Sequence, residues 1–206
     1  RLCAAGFCGP ICTTAATRDL IGVLLPDSAH LQRMEAERAV RLGREYRAAY
    51  SVAEAEAVPA QVRTVAYGES FEPGGGVRAR LVDAGHILGS AIVELWLGAG
   101  GGQRKIVVTG DLGQPGRPIV RDPAVVAEAD VLLLESTYGN RDHRPLGETL
   151  DELVTILDHA LNERRGMVIV PAFALGRTQE FLYYLNQLSR AGRVRDLNVF
   201  VDSPMA

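Results

Sequence analysis

Over the first fifty residues apolar positions recur at helical spacing, and after Pro59 the pattern changes to short apolar runs broken by glycine. Residues 11–13 are apolar enough for a strand, and Thr14 or Thr17 then caps a helix over residues 18–25 that Pro26 ends. Asp27 and Ser28 are the next cap candidates. From Ala29 to Tyr50 the residues Leu31, Met34, Ala39, Leu42 and Tyr46 return among alternating charges, which predicts a surface helix with Glu37 and Arg41 as a solvated pair. Residues 62–67, 77–82, 92–97 and 106–109 read as strands and hairpins, separated by the glycine-rich stretches 73–76 and 98–102. The second half alternates instead: strand 131–134, helix 146–163, strand 167–170, helix 177–189, strand 198–201. Such alternation predicts parallel pairing through right-handed crossovers, with Gly166 and Gly192 where helices stop. The change of texture near residues 136–145 marks a domain boundary, with one domain over 1–142 and another over 143–206.

Composition adds bounds rather than a function. With 206 residues, 47% hydrophobic and 23% charged, the chain has apolar mass for one or two cores, and disorder is excluded. The longest apolar stretches, such as 20–26, are far shorter than the roughly 20 residues a membrane helix needs, so no membrane partner is expected. The start has no basic segment followed by a long apolar one, and a cytoplasmic location is expected. A net charge of -3 gives no global attraction to nucleic acid, so a polyanion would need a local site. Cys3, Cys8 and Cys12 match neither a paired zinc motif nor an iron–sulfur pattern and read as reduced thiols.

Three apolar runs end in residues with metal or acid–base chemistry. Val82 leads to Asp83 and His86, Val108 to Asp111, and Leu134 to Glu135. A buried strand holds its last residue on a rigid support, while a glycine-containing turn leaves the functional side chain facing a crevice. Singly, each has a plainer reading: His86 as a structural loop histidine, Asp111 as a turn residue, Glu135 as a cap. Together, on neighbouring strands, imidazole and carboxylate suit zinc, with bonds of about 2.0 to 2.2 Å.

The wording of four segments goes further than their periodicity. Ala84-Gly85-His86-Ile87-Leu88-Gly89-Ser90-Ala91, Thr109-Gly110-Asp111-Leu112-Gly113, the run from Glu135-Ser136-Thr137-Tyr138 to Asp142-His143, and Pro171-Ala172-Phe173-Ala174-Leu175-Gly176-Arg177-Thr178-Gln179-Glu180 stand in this order. They resemble the motifs of the β-CASP group of metallo-β-lactamase-fold ribonucleases, RNA-processing exo- and endonucleases that include cleavage and polyadenylation nucleases. Gly9-Pro10-Ile11, Ala16-Thr17-Arg18-Asp19-Leu20 and the closing Asp202-Ser203-Pro204-Met205-Ala206 resemble that group too, so the likeness covers nearly the whole chain.

The resemblance implies an α/β fold: part of an αββα metallo-β-lactamase-like sandwich, followed by the start of an α/β β-CASP domain with parallel strands. It implies hydrolysis of RNA phosphodiester bonds by a hydroxide on zinc, with two ions in the complete protein. His86 matches a ligand of one zinc, and Asp111 the carboxylate that bridges both. Glu135 matches an acidic residue that supports a histidine near the leaving group. For His143 and Arg177 a contact with substrate phosphate stands beside an exposed loop role and a helix-start role. Ser90 and Ser136 read as donors to the ligating side chains or as turn residues. RNA and a second copy of the chain are the partners expected.

One departure from the family pattern is large. The His-x-His-x-Asp-His run that supplies most zinc ligands is absent, and the chain has only four histidines. It reads as an internal piece of a longer protein. Two alternatives remain: a non-catalytic scaffold subunit of an RNA-processing complex, and a small-molecule metallo-hydrolase on the same fold. The second leaves the segments 135–143 and 173–180 without a purpose. On either the enzyme or the scaffold reading, the isolated 206-residue chain is expected to be marginally stable, to bind zinc weakly or not at all, and to cleave no RNA. Zinc stoichiometry and an RNA cleavage assay test this, and tight binding of two ions with turnover overturns it.

Overall fold

The computed structural model describes residues 1–98 and 102–205. The middle of the glycine-rich 98–102 connection and the terminal Ala206 therefore lie outside the described residues. The chain divides into two compact units, one of residues 1–116 and 120–135, the other of 117–119 and 136–206.

The first unit carries a mixed sheet of five strands. These are β3 (Ser70–Gly74), β4 (Val77–Asp83), β5 (Ala91–Leu97), β6 (Arg104–Val108) and β7 (Val131–Leu133), in that spatial order. The β3–β4–β5–β6 pairs are antiparallel and β6–β7 is parallel. A separate parallel pair joins β1 (Ile11–Thr13) to β2 (Val62–Thr64). Two helices lie between them in the chain, α1 (Ala15–Arg41) and α2 (Val52–Ala57), and they pack on each other. The glycine-rich stretch 73–76 predicts a separator between strands, yet Pro73 and Gly74 end a strand, β3, that begins at Ser70. It forms at the sheet edge, where a proline's missing N–H leaves no ladder bond unmade.

Helix α1 differs from expectation at both ends of its second half. It runs straight past Pro26 instead of stopping there. Pro26 has no N–H to give to the Gly22 carbonyl, and this one lost hydrogen bond is outweighed by a helix of 27 residues. The helix then ends at Arg41 rather than near Tyr50. Gly43 takes a φ of 64°, its N–H donates to Val40 O, and the Arg44 N–H donates to Ala39 O at 2.8 Å. That is a Schellman closure, which satisfies the last helical carbonyls and turns the chain away. Ser51 and Glu54 next form a reciprocal capping box that starts α2.

Alternation along β4, β5 and β6 sorts two kinds of side chain. Ala84, Ile92 and Val107 form a buried cluster, with Val82, Leu112 and Val126 packed on it. On the same face Glu94 is 1% exposed and lies between Arg80 on β4 and Lys105 on β6, the latter at 2.6 Å. The indole of Trp96 carries Arg78, Arg80 and Lys105 against its face. Burial pushes the Glu94 carboxyl up, but the hydrogen bonds and charges of Arg80 and Lys105 outweigh it and leave the group below its ordinary value.

The second unit contains α3 (Leu146–Leu157), continued by one π-helical turn, Asp158–Glu163, and α4 (Arg177–Arg190). Leu157, Leu185, Leu188 and Val194 form its core. Gly192 at a φ of 68° closes α4 with the same Schellman pattern, Arg193 N–H donating to Leu188 O. The strands expected at 167–170 and 198–201 are not formed, so the expected parallel strands of this part of the chain are absent among the described residues. Val168 packs on the core, but most of their other apolar side chains stay out of it, Phe200 being 90% exposed. A parallel strand exists only when a neighbour takes its backbone groups, and neither segment has paired.

Removing the buried carboxylate leaves Lys105 and Arg80 without their counter-charge. Glu94→Ala is expected to cost about 3 kcal/mol, the low end for breaking a buried pair because Arg80 is partly solvated. Since the folded carboxyl sits below its ordinary 4.5, its contribution is full above that pH and fades as pH falls through the lower folded value. Urea unfolding of both proteins between pH 7 and pH 3 checks this, and the gap between the two midpoints should narrow at the acid end.

Candidate metal centre

The turn after β4 carries His86, and short hydrogen bonds close it. Asp83 Oδ1 accepts the Gly85 N–H at 2.9 Å, which begins the turn. Ser90 Oγ accepts the N–H groups of His86 at 3.1 Å and Ile87 at 3.3 Å, while Ser90 N–H donates back to Ile87 O. Ser90 thus holds the backbone of His86 itself. Outside the turn, Tyr67 donates its hydroxyl to Ser90 O at 2.8 Å, and Thr14 and Thr17 each bring a hydroxyl to 2.9 Å from Gly89 O. Burial, and then the charge of Asp83, push the Tyr67 phenol above its ordinary value, so it stays a neutral donor.

The turn after β6 carries Asp111. Gly110 takes a φ of 57°, and Thr109 donates its N–H to Leu133 O on β7. Glu135, just beyond β7, accepts the Leu112 N–H on Oε1 at 2.7 Å and donates its own N–H to Thr109 Oγ1 at 3.3 Å. The Glu135 carboxylate is therefore bound to the residue next to Asp111. The two turns also touch directly. Gly113 N–H donates to Ala84 O at 2.8 Å, and a Cβ on Gly113 would fall 1.6 Å from Gly85 O.

The result is one rim. His86 Nε2 lies 3.9 Å from Asp111 Oδ2, with the two side chains 39% and 77% exposed. Beside them opens a cavity of about 300 Å³, lined by Leu20, Ile21 and Leu24 of α1 and by Ile87 and Leu88. Two donors on one zinc stand at most about 4.2 Å apart, twice the bond length, so this imidazole and carboxylate suit the ion in type and in spacing. They do not complete a set: among the described residues no group of three or more His, Cys, Asp or Glu side chains is gathered for a metal. A zinc centre here needs donors besides these two.

Ser136, His143 and Arg177 belong to the second unit. Ser136 O accepts the Gly139 N–H in a turn. His143 packs edge-on against Tyr138, ring centres 5.1 Å apart, and Arg141 lies over the same tyrosine. Arg177 begins α4 and donates to Glu180 Oε2 at 3.1 Å, while Arg117 donates to Glu180 Oε1 at 2.8 Å. Tyr67 and the second role of the two threonines escape sequence reading. A tyrosine twenty residues before the turn gives no local signal, and Thr14 and Thr17 look complete as helix caps.

No protein-family model matches the chain. Comparison with characterised proteins nevertheless shows homology along the whole chain to the β-CASP ribonucleases, which implies that the mixed sheet is a portion of a metallo-β-lactamase fold. Ribonuclease TTHA0252 of Thermus thermophilus is 34% identical over 206 residues, all of this chain and 43% of the relative. The transcription termination factor FttA of Pyrococcus abyssi is 34% identical over 199 residues, 95% of this chain and 29% of that protein. An RNase J-like protein of Methanocaldococcus jannaschii is 36% identical over 132 residues, 63% of the chain and 30% of its own length. The chain thus spans less than half the length of each of these relatives. Among the described residues no helix is long and apolar enough to cross a membrane.

Ser90→Ala removes the acceptor of two backbone N–H groups at once. A loss of about 1–2 kcal/mol is expected, with faster amide exchange confined to residues 86 and 87. Hydrogen exchange read residue by residue checks it, and unchanged protection at His86 counts against the arrangement.

Proposed function

We propose that the protein containing this chain is a zinc-dependent ribonuclease that hydrolyses RNA phosphodiester bonds, with His86 and Asp111 among its metal ligands. The observation that carries this reading is the approach of His86 Nε2 and Asp111 Oδ2 to 3.9 Å on one rim, in a chain homologous throughout to ribonucleases. Residues 1–142 are the metallo-β-lactamase-like part, and residues 143–206 begin the β-CASP part. The remaining donors come from outside this set of residues.

Bound at this rim, zinc supplies Lewis acidity toward a phosphoryl oxygen and brings the ionisation of water near neutral pH. The chain's own residues do the rest. His86 would offer an imidazole nitrogen to the metal, and Asp111 would offer a carboxylate oxygen from an exposed side chain. Glu135 fixes the Asp111 turn through the Leu112 amide and steadies a histidine near the leaving group. His143 and Arg177 would be contacts for substrate phosphate. Arg177 spends one nitrogen on Glu180, and a guanidinium has five N–H donors to share. Ser90 and Ser136 support these side chains through their turns.

In the intact protein, Asp111→Ala is expected to lower zinc-dependent RNA cleavage by at least a thousandfold with the fold kept, because an exposed residue contributes little to stability. Cleavage rate, zinc content and circular dichroism measured together decide it. Undiminished turnover at matched zinc content overturns the assignment.

A further inference from the structure

We infer that Thr17, with Thr14, is a positioning residue for the metal ligand His86, and that the start of α1 sets where that imidazole stands. The inference rests on the zinc reading of the rim. The His86 turn is held at its near end by its own hydrogen bonds and by Gly113, but its far end leans on α1. Thr14 is the N-cap of α1 and accepts the Thr17 N–H at 3.2 Å. Both hydroxyls also reach Gly89 O at 2.9 Å, and they stand 3.0 Å from each other.

Each hydroxyl has one proton, and a carbonyl oxygen has two lone pairs. Thr14 therefore gives its proton either to Gly89 O or to Thr17 Oγ1. When Thr14 donates to Thr17 Oγ1, the Gly89 carbonyl is left to the Thr17 hydroxyl; when Thr14 donates to Gly89 O, the Thr17 proton takes that oxygen's second lone pair or turns to Thr14 Oγ1. Gly89 meets the helix start so closely that a Cβ there would lie 2.6 Å from Thr17 Oγ1 and 2.7 Å from Thr17 N. Its φ of 85° suits glycine and no β-branched residue. Thr17 further lines the cavity that opens beside His86 and Asp111. A helix cap alone would use Thr14 and leave Thr17 idle; the turn residue three places past His86 uses both.

The test compares Thr17→Val, which keeps shape and removes the donor, with Thr17→Ser, which restores it, and with His86→Ala. Thr14 and its cap stay intact throughout. In the intact protein, Thr17→Val should speed amide exchange across residues 86–90 about tenfold and weaken zinc binding about tenfold or more, the range for a residue that orients a ligand. It should also shift the visible spectrum of the cobalt(II)-substituted protein, and Thr17→Ser should return all three toward the original. Exchange, zinc affinity and spectrum that stay unchanged in Thr17→Val overturn the inference, as does a serine variant no better than valine. If His86→Ala abolishes zinc binding while Thr17→Val changes nothing, this inference alone falls. If His86→Ala leaves zinc binding whole, the metal reading falls and the inference falls with it.

Discussion

The Gly113 N–H donates to the Ala84 carbonyl across two turns that belong to different strands, and Ala84 is 0% exposed. Water has no access to replace that bond, so opening it would leave a buried carbonyl unpaired at a cost of about 1–3 kcal/mol. The contact is possible only because Gly113 has no side chain in the space that Gly85 O occupies. His86 rides on one of these turns and Asp111 on the other. Backbone packing therefore fixes where the two residues start from, and the rotamers of their side chains complete the 3.9 Å approach of Nε2 to Oδ2. Glu135 adds a second tie from β7 through Leu112, so three strand ends converge on one short stretch of backbone.

What keeps those strand ends level is the register of the sheet behind them. Arg80 stands opposite Glu94, and Lys105 opposite Trp96. A slip by one residue would carry Glu94 to the other face and strand a buried carboxylate away from both cations. Hydrophobic alternation alone would tolerate errors here, since Val, Leu and Ile fill both faces of β5 and β6. The charge cluster removes that ambiguity at the far end of the same strands whose near ends carry the site.

Much of this was legible in the sequence, and the failures have a common cause. Strands β4, β5, β6 and β7 and helices α3 and α4 stand where apolar runs and helical spacing put them, within a few residues. Helix α1 is a different case. Pro26 looked decisive as a breaker, but a single proline removes one bond and cannot outvote 27 residues, whereas Gly43 ends the helix by satisfying several carbonyls at once. The residues at the rim could be named from motifs, since His86 and Asp111 follow apolar runs and each comes directly after a glycine, Gly85 and Gly110. The supports around them could not. Tyr67, Thr17 and Gly89 are far apart in sequence, and only tertiary packing gives the tyrosine or the second threonine a partner.

The strands that did not form at 167–170 and 198–201 follow the same logic from the opposite side. A Schellman turn, a capping box or the Asp83–Gly85 turn is closed by groups within six residues, so its bonds are made wherever the segment goes. A parallel strand has no such local closure and is held only by neighbours brought from elsewhere. Met167, Ile169 and Phe200 remain exposed, and so do all three residues of β7, which pairs on one side only. Those side chains alternate or run together as buried strands do, in a chain that covers less than half of its relatives' length. Exposed apolar edges of this kind favour pairing with further backbone over solvation by water. The pattern of what is closed and what is left open thus divides the described residues by the range of their contacts: the rim that carries His86 and Asp111 is tied together by backbone bonds between neighbouring turns, while β7 and the segments 167–170 and 198–201 keep much of their apolar surface exposed.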